Sequence, residues 1–213
     1  MPNGLLESLT SVVLPPLFGF ALAPGIVTNN IDGLVEGRVQ VRIPARPGLE
    51  PWARLVAVGG GPDRGFYWVP QVDDEVMIAF HQGDERDAYL LGGLWNTRDK
   101  PPASIQTDAL NKRIIRTGIA KAPGHEIEID DLMQSIKIKT STDQKLTIDP
   151  FKIELEDTGG AKITLDTLTQ TITVDAALSI VLKSQGTVKI EGTMVEISGS
   201  AMTKISGGIV KIN

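Results

Sequence analysis

Apolar and polar residues alternate along most of this chain, but in two different rhythms. Between about residues 18 and 98 the alternation comes in short runs broken by turn residues. Gly37-Arg-Val-Gln-Val-Arg-Ile-Pro44 puts Val39, Val41 and Ile43 on one side and Arg38, Gln40 and Arg42 on the other. Phe18–Ile31, Trp52–Val58, Gly65–Pro70, Glu75–Phe80 and Ala88–Trp95 read as further strands, with Gly25 marking a bulge in the first. Five or six strands with turn signals every 8 to 12 residues predict a small closed barrel of the oligonucleotide/oligosaccharide-binding (OB) type. Its expected core is Val39, Val41, Ile43, Val76, Ile78, Phe80, Leu91 and Leu94.

From residue 125 the rhythm becomes a repeat. His125-Glu-Ile-Glu-Ile-Asp130 is followed by units at Ser135, Lys145, Lys152, Lys162, Thr171 and Ser179, spaced about 7 to 10 residues apart. After Leu182 the spacing tightens to 7 or 8, through Thr187-Val-Lys-Ile-Glu-Gly, Met194-Val-Glu-Ile-Ser-Gly, Met202-Thr-Lys-Ile-Ser-Gly and Ile209-Val-Lys-Ile-Asn213. Corners shift from Asp to Gly, and glycine tolerates positive φ and close backbone approach, so the later units should be narrower and more regular. Internal periodicity of this kind decides the architecture of a chain.

Each unit offers only two medium apolar side chains, too few for an isolated hairpin, so the units must stack. Two geometries do this. One chain can coil as a β-solenoid, which leaves open pairing edges at both ends. Alternatively, three chains intertwine about a shared axis filled by Val188, Ile190, Val195, Ile197, Ile205, Val210 and Ile212. The trimer is favoured because it pairs the edges. It also sets Lys189, Glu196 and Lys204 beside one another in successive repeats. The fold class is then all-β, an N-terminal OB-type barrel followed by a C-terminal intertwined trimeric β-helix.

Two flanking segments remain. Leu5, Leu6, Leu9, Val12 and Val13 fall on one face of a short helix ended by Pro15-Pro16, so residues 1–17 are read as a helical or docking segment. A signal peptide is not expected there: the start lacks Lys and Arg and carries Glu7. Residues 99–124, polar and rich in breakers, are read as a solvated linker, with Asn111-Lys-Arg-Ile-Ile-Arg116 its mildly basic patch. The domains are therefore 1–17, barrel 18–98, linker 99–124 and spike repeat 125–213.

Composition narrows the chemistry. Of 213 residues, 41% are hydrophobic and 22% charged, ordinary for a globular chain with a real core. Aromatics make up 5%, and Phe151 is the sole one after residue 100, so the C-terminal half must pack Ile, Val and Leu. A net charge of −5 argues against nucleic acid, and the absence of cysteine excludes disulfides and thiolate metal sites. His81 and His125 are isolated, and Asp73, Asp74, Glu75, Asp84, Glu85 and Asp87 fall in turns rather than across a cleft. Neither a phosphate-binding loop nor a Gly-x-Ser-x-Gly elbow is present. An enzyme is not expected, and no cofactor or metal is called for.

The barrel segment resembles a known family. Trp68-Val-Pro-Gln-Val-Asp-Asp-Glu-Val-Met-Ile-Ala-Phe80, Gly83-Asp-Glu-Arg-Asp-Ala-Tyr-Leu-Leu-Gly-Gly-Leu-Trp-Asn96 and Lys100-Pro-Pro102 look like the OB domain of baseplate spike proteins. These include the phage baseplate assembly protein V family and the valine-glycine repeat (VgrG) spikes of type VI secretion. Asp73 stands where that pattern usually has Gly, and Ala88 where it often has Pro. The resemblance implies a homotrimeric, non-enzymatic central spike of a contractile injection machine, whose needle transiently pierces a target membrane. It further implies assembly in the cytoplasm into a phage tail-like particle, found as a virion baseplate or a secreted particle. The short segment before the barrel implies a separate hub protein, and the short linker leaves no room for a lysozyme domain. A proline-alanine-alanine-arginine (PAAR) repeat tip would bind at Val210 and Ile212. The alternative is an OB-fold binding module for oligonucleotide or saccharide with a β-solenoid tail, for which Arg38, Arg42 and Trp52 are the residues at hand.

Overall fold

The fold is that of a computed structural model that describes residues 21–103, 105–119, 122 and 124–212. The expected N-terminal helix at 5–13 and the docking segment 1–17 lie outside the described residues. Strands β1 (Ala21–Asn29), β2 (Arg38–Arg42), β3 (Trp52–Leu55), β4 (Glu75–Phe80) and β5 (Ala88–Gly93) close a barrel in the order β1-β2-β3-β5-β4. All pairs are antiparallel except β3 with β5, which is parallel.

Alternation determines what fills the barrel. Val27, Val39, Val41, Ile43, Val76, Ile78 and Phe80 are buried, with Ala53, Ala88 and Leu90 between them. Leu91 was expected inside and is instead 48% exposed. On β5 the inward residues are Ala88 and Leu90, so the next residue must face out. Leu94, also expected inside, lies beyond the strand and is only half-buried.

Gly25 does not sit in a bulge: it pairs regularly with Val76, and the register shift in the β1–β2 pair falls between Val27 and Asn29. Its smallness has another cause. A Cβ at this position would lie 2.4 Å from Val41 Cγ1 and 3.1 Å from Ile43 Cδ1, inside the packed core. Gly65–Pro70 forms no strand. Phe66 N–H donates to the Val58 carbonyl at 2.9 Å, Phe66 and Trp68 stack with centroids 5.6 Å apart, and Pro70 has no N–H to donate. At the turn before β4, Asp73 adopts φ 75°, a left-handed conformation that suits glycine better than a branched side chain.

A short helix, α1 (Asp108–Asn111), leads into a seven-stranded antiparallel sheet in simple sequence order. Its strands are β6 (Lys112–Arg116), β7 (Glu126–Asp130), β8 (Ser135–Lys139), β9 (Lys145–Ile148), β10 (Lys152–Glu156), β11 (Lys162–Asp166) and β12 (Thr171–Asp175). The basic patch taken for solvated linker is thus a paired strand, because Ile115 meets Ile127 while Lys112 and Arg116 meet Asp130 and Glu126. In the first half of the repeat, β7 to β12 pair with their own neighbours in the chain. Beyond Asp175 the alternation continues in sequence, yet the described residues form no strand.

Candidate functional site

The sheet has two unlike faces, set by the period-2 pattern of its strands. Register aligns Ile115, Ile127, Ile138, Leu146, Leu155, Ile163 and Val174 in one row across all seven strands. A second row holds Arg113, Ile129, Ile136, Ile148, Ile153, Leu165 and Ile172. Apart from Arg113, every member of the two rows is Ile, Leu or Val. Nearly all of them are exposed, Ile163 by 40% and Ile172 by 73%.

The opposite face is closed by its own ion pairs. Glu154 accepts from Lys162 at 2.7 Å and from Lys152 at 3.0 Å, and these ammonium groups hold its carboxyl below the ordinary range. Lys112 lies 3.1 Å from Glu128, 3.7 Å from Asp108 and 3.9 Å from Asp130, and the Glu128 hydrogen bond raises its pKa. Arg116 pairs with Glu126, and Lys145 lies 3.8 Å from Glu156. The Glu128 and Glu154 side chains are only 13% exposed, less than the apolar residues behind them. A globular protein normally arranges this the other way round, so the apolar face marks a contact surface.

The tail carries the same signal. All seven expected axis residues, Val188, Ile190, Val195, Ile197, Ile205, Val210 and Ile212, are exposed in the single chain, Ile197 by 69% and Ile212 by 88%. Among the described residues, backbone hydrogen bonds outside the strands end with Thr167 N–H to the Phe151 carbonyl, and the tail adds Gly186 N–H to Ser184 Oγ, two residues away, at 3.0 Å. Lys189 pairs locally with Glu191 at 2.6 Å, not with Glu196. The corner glycines are small for close approach rather than for positive φ. A Cβ on Gly199 would meet the Met202 carbonyl oxygen at 2.8 Å, and one on Gly192 the Met194 oxygen at 3.1 Å.

On the barrel, the carboxylates are absorbed into turns. Asp74 accepts from Gln71 N–H at 2.7 Å, and Asp84 accepts from Arg86, which holds its pKa down at about 2. Glu85 pairs with Arg46, and His81 lies 3.0 Å from Asp87. Among the described residues no cluster of His, Asp and Glu has metal-binding geometry, and no helix is long and apolar enough to cross a membrane. On the face proposed for oligonucleotide or saccharide, Arg38 already holds Glu36 at 2.6 Å, and Arg54 lies over the Tyr89 ring at 5.3 Å. Leu155, Ile163 and Val174 of the sheet face and Ser179 and Ile180 of the tail line one open pocket; most other apolar residues of face and tail lie exposed on the surface of the single chain. Arg113 was missed as a member of the sheet face, although its parity with Ile115 was readable.

A closed five-stranded barrel of mostly antiparallel strands, followed by repetitive β-structure, defines a mostly-β protein with an OB-type domain. Residues 23–95 match the type VI secretion system/phage-baseplate injector OB domain, so the barrel is a baseplate injector OB domain. No curated protein matches the chain. A baseplate injector domain of this kind is a structural part that assembles with other baseplate proteins.

Proposed function

We propose that this protein is the central spike of a contractile injection machine, working as a homotrimer. Its three sheets turn their apolar faces toward one axis, and its three tails wind into an intertwined β-helical needle that pierces a membrane. Segments 1–17, 18–98, 99–124 and 125–213 serve as docking segment, barrel collar, connection and spike, with the spike's first sheet reaching back into the connection at β6. A separate hub protein takes the barrel side, and a PAAR-repeat tip caps the far end at Val210 and Ile212. The particle is assembled in the cytoplasm and works as a phage tail, a tailocin or a secreted injection system.

One observation carries this reading. Residues 176–212 keep the strand alternation but have almost no backbone partner within the chain. In the single chain these backbone N–H and C=O groups are left to water, and on this reading other copies supply their partners. Light scattering on the full chain tests this: three times 22.9 kDa is expected. The trimer should also resist dissociation in detergent. A monomer whose tail is cut rapidly by protease refutes the reading.

A further inference from the structure

Arg113 breaks a rule that every other residue of the two apolar rows obeys. It occupies the β6 place beside Ile129, on the same face as Ile115, while the apolar Ile114 lies on the charged face opposite Glu128. The neighbouring cations Lys112 and Arg116 each have carboxylate partners on that charged face. Arg113 has no carboxylate within ion-pair distance among the described residues; its Nη1 donates to the Lys112 carbonyl at 2.8 Å. Its side chain is exposed on the face that the assembly reading turns inward.

On that reading, threefold symmetry brings three Arg113 side chains into the same layer, the first of the sheet. Three guanidinium groups drawn out of water repel one another and cannot deprotonate, so the layer requires a counter-anion. A guanidinium presents N–H donors in a fixed fork that suits oxygens of carboxylate or phosphate type. A tetrahedral oxyanion has a threefold axis of its own and can offer one oxygen to each copy. We propose that the trimer holds one tetrahedral oxyanion, of the phosphate or sulfate class, on its axis at the β6 layer, bound by the three copies of Arg113. A competing acid of the same parity is Asp131, two places beyond Ile129 and just past the end of β7. Pairing with Asp131 of a neighbouring copy is the rival arrangement.

Equilibrium dialysis of the full-length protein against radiolabelled inorganic phosphate, with light scattering on the same sample, tests this. One phosphate per three chains is expected. Arg113→Gln should lose the phosphate while remaining a trimer. In the wild type the unfolding midpoint should rise by at least about 2 °C when phosphate replaces chloride at constant ionic strength. That rise should vanish in Arg113→Gln and in Arg113→Ile, which completes the apolar row and serves if the Gln variant misfolds. A trimer that binds no phosphate overturns the proposal, as does binding at one per chain. Loss of trimer stability in Asp131→Asn equal to that in Arg113→Gln, without phosphate dependence, establishes the interchain ion pair instead. A monomeric mass overturns the assembly reading itself, and the site falls with it.

Discussion

Replacing Ile163 by aspartate addresses the assembly surface at a single point. Ile163 sits mid-row between Leu155 and Val174 and is 40% exposed in the single chain. Fully burying an isoleucine is worth about 1.5–3 kcal/mol, so covering what remains open yields on the order of 1 kcal/mol per copy. Aspartate forfeits that gain and adds a buried, unpaired carboxylate costing several kcal/mol more. Symmetry triples the effect, to on the order of 10 kcal/mol or above per trimer. At about 1.4 kcal/mol per tenfold, association weakens by roughly a millionfold or more. Light scattering at micromolar concentration should then find Ile163→Asp as monomer, with circular dichroism reporting whether the barrel persists. The control is Thr164→Asp, one residue along and on the ion-paired face, which should remain a trimer. If Ile163→Asp assembles with an unchanged unfolding midpoint, the apolar face is not the interface and the reasoning fails.

Ile197→Asp and Ile205→Asp should block needle assembly for the same reason, while Lys204→Ala should leave mass and melting unchanged; gel filtration with light scattering checks both. Asp73→Gly should raise stability by up to about 1 kcal/mol in urea unfolding, because φ 75° strains a non-glycine residue, partly offset by glycine's larger unfolded-state entropy. Acid should weaken the sheet through Glu154. Its carboxyl is held below the ordinary range by Lys162 and Lys152, so its stabilisation is present above the unfolded pKa and is lost as pH falls through the folded one. Glu154→Gln should therefore lower stability at neutral pH and flatten the acid limb of a urea-midpoint-versus-pH curve. An unchanged acid limb would show that the Glu154 pairs contribute nothing.

Much of the fold was legible because its signals are local. The Val39/Val41/Ile43 alternation depends only on neighbours in sequence, and those residues are buried. The six units from His125 to Asp175 correspond to β7–β12 for the same reason. Leu91 was misplaced because a Leu-Leu pair gives no parity of its own; pairing with β4 selects Leu90 for the inside. Gly65–Pro70 has the composition of a strand, but three aromatics in a row can satisfy one another by stacking, as Phe66 and Trp68 do. Arg113 was obscured by its cationic neighbours. Only the pairing of β6 with β7 shows that Lys112 and Arg116 face acids while Arg113 faces the isoleucines.

The handover at Asp175 follows from the corners. Many hairpins reverse the chain with a residue at positive φ in the turn. Gln134, Asp143, Gly160 and Gln170 do so between successive strands of the sheet, and at the tightest turn Asp149 Oδ1 accepts from both Phe151 and Lys152 N–H. Among the described residues after Gln170 none has positive φ, although the corners are now glycines. Those glycines are used where the chain crowds its own carbonyl oxygens, at Gly192 and Gly199, not where it turns back. A segment that does not reverse does not pair with its predecessor, and on the proposed reading its edge is taken by another chain. Substituting Gly199 by alanine separates the two roles of glycine. With no positive φ to lose, the variant should suffer only the clash with Met202 and Thr203, and trimer melting should fall while the barrel and sheet keep their circular dichroism. If the whole chain unfolds with it, the tail is not an independent layer of the assembly.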